Sequence, residues 1–166
     1  MSTTSARRTI ESMPAHARVW VYKSEKAFTG EQRAAILDRG NAFITTWAAH
    51  GAALDACVDV LHDHLVVIAA DEQQAMASGC SIDKSVHLIK ALEHDLDVQL
   101  TDRMVVLYEK DGAIATCRVP EVEGRIKAGE LNAETFVFDD LVSTVGDLRE
   151  RMRVPLRKSW MARYLQ

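Results

Sequence analysis

The stretch LDACVDVLHDHLVVIAA, residues 54–70, holds two short apolar runs with only His62, Asp63 and His64 between them. Residues 54–61 and 65–70 are each of strand length, and three intervening residues leave room for nothing but a reversal. The stretch therefore reads as a β-hairpin. A hairpin in the middle of the chain fixes how the flanking segments are counted.

Towards the N-terminus, residues 17–24 (ARVWVYKS) alternate, with Val19 and Val21 on one face and Trp20 and Tyr22 on the other. That pattern is a strand. Thr29-Gly30-Glu31-Gln32 fits a capping box, with Thr at the cap and Gln three residues on. The helix it opens places Ile36, Gly40, Phe43 and Trp47 on one buried stripe, and Gly51 is its expected C-terminal stop.

Towards the C-terminus, residues 71–77 read as a loop. A second helix follows from about 79–81 to 95, with Ile82, Val86, Ile89 and Leu96 facing the core. Residues 104–109 and 113–119 are two further strands around an Asp111-Gly112 turn. The order is β-α-β-β-α-β with an added fifth strand. This predicts an α+β fold: a ferredoxin-like antiparallel sheet with both helices on one face.

Three regions result. Residues 1–16 read as a loose, flexible leader and 17–119 as the ferredoxin-like domain. Residues 120–166 read as a small C-terminal α/β appendage packed on that domain. The appendage has a short helix at 121–127, a short strand at 135–138 and a helix opened by Thr144 and stopped before Pro155. Trp160, Tyr164 and Leu165 are its apolar hooks.

The chain has 166 residues, enough for one domain with a real core. Hydrophobic residues make up 48% and charged residues 27%, with a net charge of −4, so nothing attracts it generally to nucleic acid. Residues 147–166 carry six basic side chains against two acidic ones, a segment expected to lie on the more acidic body. Arg149, Arg151 and Arg153 with Trp160 are too few to overturn that reading in favour of a nucleic-acid contact. Cys57, Cys80 and Cys117 are widely spaced and odd in number, neither a disulfide framework nor a zinc pattern. The opening residues lack a signal-peptide core, and no apolar run approaches a membrane span. The expectation is a cytoplasmic protein with reduced thiols and no membrane partner.

Residues 78–87, Ser-Gly-Cys-Ser-Ile-Asp-Lys-Ser-Val-His, carry the strongest chemical signal. With Ser78 as N-cap, Cys80 sits at the second helical position, where unpaired amides and the helix dipole favour anions and thiolate. Lys84 and His87 fall on the same outward side as Cys80. The backbone N–H groups of Cys80, Ser81 and Ile82 are candidates to hold a carboxylate, a phosphate or an oxyanion. The ferredoxin-like topology also brings the loop containing His50 to the same end of the sheet. A Cys–His pair is the smallest unit of thiol catalysis.

Two weaker motifs lead nowhere. His62 and His64 supply two metal ligands without a third, so no metal and no cofactor are predicted. Gly124-Arg-Ile-Lys-Ala-Gly129 matches the start of a P-loop, but Glu130 and Leu131 stand where Lys and Ser or Thr must reach phosphate and magnesium.

Trp47-x-x-His50-Gly51, the 78–87 stretch, Asp102-Arg103, Val137-Phe138 and Ser159-Trp160 together resemble a family of short bacterial proteins without an assigned function. Many of its members carry the label "ABC transporter ATPase". The resemblance runs from about Met13 to Leu165. It implies a bacterial, intracellular, single-chain protein of this size. It implies no ATP hydrolysis here, because the P-loop is incomplete and the Leu-Ser-Gly-Gly-Gln signature is missing. It carries over no catalytic residues.

The leading expectation is a binding protein for a small anionic ligand or a partner's carboxylate. Its predicted site is Ser78, Gly79, Cys80, Ser81 and Lys84, with His50 lining it from the neighbouring loop. One alternative is a thiol-dependent enzyme with Cys80 as nucleophile and His50 or His87 as base. The other is a non-catalytic structural or interaction protein, a homodimer through an exposed sheet edge.

Overall fold

The computed structural model describes residues 8–73 and 75–166. The hairpin forms as its sequence predicts. Strand β4 (Asp55–Leu61) pairs antiparallel with β5 (Leu65–Asp71), from Asp55 opposite Asp71 to Leu61 opposite Leu65. His62 and Asp63 turn the chain at φ 53° and 55°. Strand β1 (Arg18–Lys23) pairs with the other side of β5, giving a three-stranded sheet with β5 in the middle.

Helix α1 (Gly30–Thr46) starts in the predicted capping box. The Thr29 N–H donates to Gln32 Oε1 at 2.9 Å and the Gln32 N–H to Thr29 Oγ1 at 3.1 Å. Its end differs from the expectation. The helix stops at Thr46, and Trp47 takes an extended conformation. A tiny hairpin then forms from β2 (Ala48–Ala49) and β3 (Ala52–Ala53). His50 and Gly51, at φ 51° and 79°, make its turn. Such a positive-φ pair is the tight-hairpin conformation, so Gly51 serves a turn instead of a helix cap.

Helix α2 (Gly79–Leu96) covers the predicted span and ends on Asp97 in the left-handed region. Its buried face is rotated from the predicted one. Ser81, Ser85, Ile89 and Leu92 are buried, while Ile82, Val86 and Leu96 are only partly so. The two serines tolerate burial because their hydroxyls bond the helix's own carbonyls, Ser81 to Ser78 at 2.8 Å and Ser85 to Ile82 at 2.6 Å. Counting only apolar positions misses such a face.

The larger correction concerns the sheet. Strands β6 (Val105–Lys110) and β7 (Ala113–Arg118) form the expected hairpin over Asp111-Gly112, but they do not join β1. Helix α3 (Val122–Lys127) and strand β8 (Phe136–Phe138) follow, then helix α4 (Val145–Arg151) and strand β9 (Arg153–Pro155). The strands make a separate four-stranded sheet in the order β7-β6-β8-β9. Residues 120–166 thus supply two of its four strands and are no appendage. Beside β1, where a ferredoxin-like sheet has its fourth strand, lies the segment before α4. The Val19 N–H donates to Ser143 O at 3.0 Å, and the Val145 N–H to Ala17 O at 2.8 Å.

Three apolar clusters show how the layers stack. α1 and α2 pack on Ala56, Val58, Val60, Val66 and Ile68 of the first sheet. The opposite face, through Val19, Cys57, Leu65, Val67 and Ala69, meets Val105, Leu107 and Phe138 of the second sheet. The outer face of that sheet is covered by Val122, Leu156 and Met161. Strand β5 contributes to both of the first two clusters, which is why it is apolar at every position before Asp71.

The described part of the predicted leader, residues 8–16, is built into this core. Ile10 and Met13 are buried between the sheets. The Ile10 N–H donates to Asp59 Oδ2 at 2.9 Å, and Arg149 donates to the carbonyls of Glu11 and Met13. Residues 1–7 of that leader lie outside the described residues. Two of the C-terminal arginines do meet acidic partners on the body, Arg153 with Glu109 and Arg157 with Glu134. No helix among the described residues is long and apolar enough to cross a membrane.

Candidate functional site

The α2 start is locally as predicted but chemically self-contained. The Ser81 N–H donates to Ser78 Oγ at 3.1 Å, and the Ser78 N–H to Ser81 Oγ at 2.7 Å. The Ile82 N–H is spent on Ser78 O at 2.9 Å. Of the amides proposed to hold an anion, only that of Cys80 is without a partner among the described residues, with that of Gly79 beside it. Ser81 is almost fully buried, so its hydroxyl is a cap and is out of reach of a ligand.

Cys80, Lys84, His87 and His50 are all exposed. Among the described residues, no hydrogen bond or ion pair joins any two of them. The fold does bring the segment before His50 to the helix start, but through a different residue. Trp47 is buried, and its indole N–H donates to Ser81 O at 2.8 Å. The sequence motif Trp47-x-x-His50 is thus a packing device at its first position and a turn at its second.

The three thiols separate sharply. Burial, with the nearby Asp59 carboxylate, pushes Cys57 up to about 12, and burial pushes Cys117 up to about 11. At pH 8 the Cys57 thiolate fraction is then about one in ten thousand. Cys80 alone is exposed. A chromogenic disulfide reagent at pH 8 should therefore titrate one thiol in the native protein and three after denaturation. Equal rates for Cys57 and Cys80 in the native state would contradict this geometry.

A second candidate, a concavity, lies elsewhere. A groove of about 580 Å³ opens along the outer edge of β1, bounded by the connection into β6, by Asp140 and Leu141, and by Trp160. Trp20 and Trp160 give it aromatic walls, and Leu100 and Leu141 add apolar surface. Leu141 is 64% exposed, an uncovered apolar rim.

One of the residues lining the groove is a buried cation. Lys23 is 7% exposed, and its ammonium donates to Val105 O at 2.6 Å and pairs with Asp140 at 3.0 Å. An ammonium has three donors, so one is left over. The second acid in the lining, Asp102, is also engaged. It accepts the Met104 N–H at 2.9 Å and pairs with Arg118 at 3.0 Å. Those contacts, the backbone bond foremost, hold its carboxyl below the usual carboxylate range. Arg103, on the same turn, lines the groove and has no ion pair among the described residues. The groove thus presents paired acids, a buried ammonium and one uncommitted guanidinium.

Sequence reading missed this site because it is assembled from four separate segments, residues 20–23, 100–103, 140–141 and 160. One signal was available: Lys23 falls on the same face of its strand as Val19 and Val21. A lysine there must find an acceptor once the strand is buried.

The His62–His64 turn has a structural role. His64 is buried, with Nδ1 at 2.9 Å from Ser24 O, and His62 packs against the Phe138 ring at 5.0 Å. Among the described residues, no group of three or more His, Cys, Asp or Glu side chains is placed to hold a metal ion.

Comparison with protein-family models, with curated proteins and with solved structures gives no match for this chain.

Proposed function

We propose that this chain is a binding protein for a small organic anion, taken into the groove along β1. The observation that carries this is the groove's lining, which joins the buried, paired Lys23 and the aromatic Trp20 and Trp160 to Arg103, a cation with no ion pair among the described residues. A concave apolar site with a few convergent polar groups is the usual form of a ligand pocket. Both carboxylates of the lining are paired with cations, so the unspent charge is positive. That selects an anion over a cation. The aromatic and aliphatic walls select a ligand with an apolar body.

This keeps the ligand class expected from the sequence and moves its site. The helix start at Ser78 keeps two unpaired amides, but its hydroxyls and remaining amides are consumed by the cap. The thiol-enzyme reading has an exposed Cys80 but no base within hydrogen-bonding reach of it among the described residues. It is the less supported of the two.

Calorimetric titration with 4-phenylbutyrate and with its neutral alcohol tests the proposal. A charge-assisted hydrogen bond contributes about 1.5–3 kcal/mol, so the acid should bind at least about tenfold more tightly. Arg103→Gln should remove that preference, and Cys80→Ser should leave it intact. Equal binding of acid and alcohol, or loss on Cys80→Ser alone, would overturn the assignment.

A further inference from the structure

The outer edge of β1 carries a detail that narrows the ligand. In an antiparallel pair, successive residues alternately direct both backbone groups towards the partner strand and away from it. Val19 directs its N–H away from β5, to Ser143 O at 3.0 Å. Val21, two residues on, therefore turns its N–H and C=O to the same outer side. Val21 lines the groove, and no described residue bonds either group.

Elsewhere on this side of β1, residues 143–145 cover the strand around Ala17 and Val19. At Val21 an open length of strand edge coincides with a cavity, an apolar rim and a cation that has no ion pair among the described residues.

Resting on the binding reading above, the geometry points to a specific ligand class: the C-terminal end of an extended peptide. Its last residues add to β1 as a short strand, exchanging hydrogen bonds with the Val21 N–H and C=O. Its terminal carboxylate meets Arg103, and its last side chain lies between Trp20 and Trp160. Backbone bonding supplies affinity in such strand addition, and side-chain pockets supply selectivity. The size fits, because about 580 Å³ holds a few residues and no more. The charge fits as well, since a peptide C-terminus brings one negative charge to one uncommitted guanidinium.

The test uses the full chain and the tripeptide acetyl-Ala-Val-Leu in four forms: free acid, C-terminal amide, and free acid methylated on the Val or on the Leu nitrogen. The expected result is that the acid binds at least about tenfold more tightly than the amide. One of the two methylations should cost a similar factor, and hydrogen exchange at the Val21 amide should slow on binding. Arg103→Gln should erase the acid preference without changing the affinity of the amide form. The peptide proposal is overturned if acid and amide bind alike, or if the acid binds with no change at Val21. Binding of 4-phenylbutyrate without binding of the peptide acid overturns the peptide alone and leaves the groove's role standing. Failure of both ligands overturns both readings.

Discussion

Replacing Trp47 with alanine is expected to lower the unfolding free energy by about 3–5 kcal/mol, the range for removing a large aromatic side chain from a core. Trp47 is 2% exposed and joins the α1–α2 cluster, with its ring 5.1 Å from Phe43 and 6.0 Å from Trp20. The cavity would open between α1, α2 and the first sheet, and partial collapse cannot fill an indole-sized space. For a chain of this length that corresponds to a drop in Tm on the order of 10 °C. Trp47→Phe separates packing from bonding. It keeps a ring but removes the indole donor to Ser81 O, which keeps only its helical partner within α2. That variant should lose about 0.5–1.5 kcal/mol. Urea denaturation followed by circular dichroism measures both. A Trp47→Phe protein as stable as the parent would show that the indole bond contributes nothing, and a Trp47→Ala loss below ~1 kcal/mol would remove Trp47 from the core altogether.

Gly40→Ala should destabilise the protein, although alanine is the better helix former by about 1 kcal/mol. Helix α1 crosses β4 at this point. A Cβ built on Gly40 would lie 2.5 Å from Val58 Cγ1 and 2.6 Å from Val58 Cβ. Rotating Val58 relieves the first overlap but not the second, because Cβ does not move with the rotamer. The helix must lift from the sheet, and overpacking of this kind costs about 1–3 kcal/mol. Two comparisons make the sign testable. Gly124→Ala in α3 meets nothing within 4 Å and should stabilise the protein slightly. In the pair Gly40→Ala with Val58→Ala, the smaller residue should recover only part of the loss, since its Cβ remains. Stabilisation by Gly40→Ala would refute the close approach of α1 to β4.

Local structure was largely legible in the sequence, for local reasons. Thr29 and Gln32 close a capping box because that spacing lets each side chain reach the other's amide, whatever surrounds them. Ser78 caps α2 for the same reason. The turns at His62-Asp63 and Asp111-Gly112 follow from chain reversal between short strands. The rotated face of α2 was less legible, because Ser81 and Ser85 satisfy their hydroxyls on their own helix and then pass as core residues.

The candidate site was legible only in its parts. Lys23, Arg103 and the tryptophans each stand out in the sequence, yet nothing in their spacing says that residues 20–23 and 160 share a wall. The helix start looked chemically active because capping and anion binding use the same amides, and only the three-dimensional arrangement shows which use prevails.

By itself, the sequence determined the elements: two capped helices, a central hairpin, a second hairpin and a mixed α and β content. Propensity, capping and turn chemistry act over a few residues and need no distant partner. The tertiary structure alone decided how the strands divide. The second hairpin pairs with β8 instead of β1, because the first sheet has a second apolar face, Val19, Cys57, Leu65, Val67 and Ala69, that needs a cover. A sheet of Val105, Leu107 and Phe138 buries that face, where a fourth strand beside β1 would have left it in water. That division leaves β1 with an open edge at Val21, and the groove of Lys23 and Arg103 exists because of it.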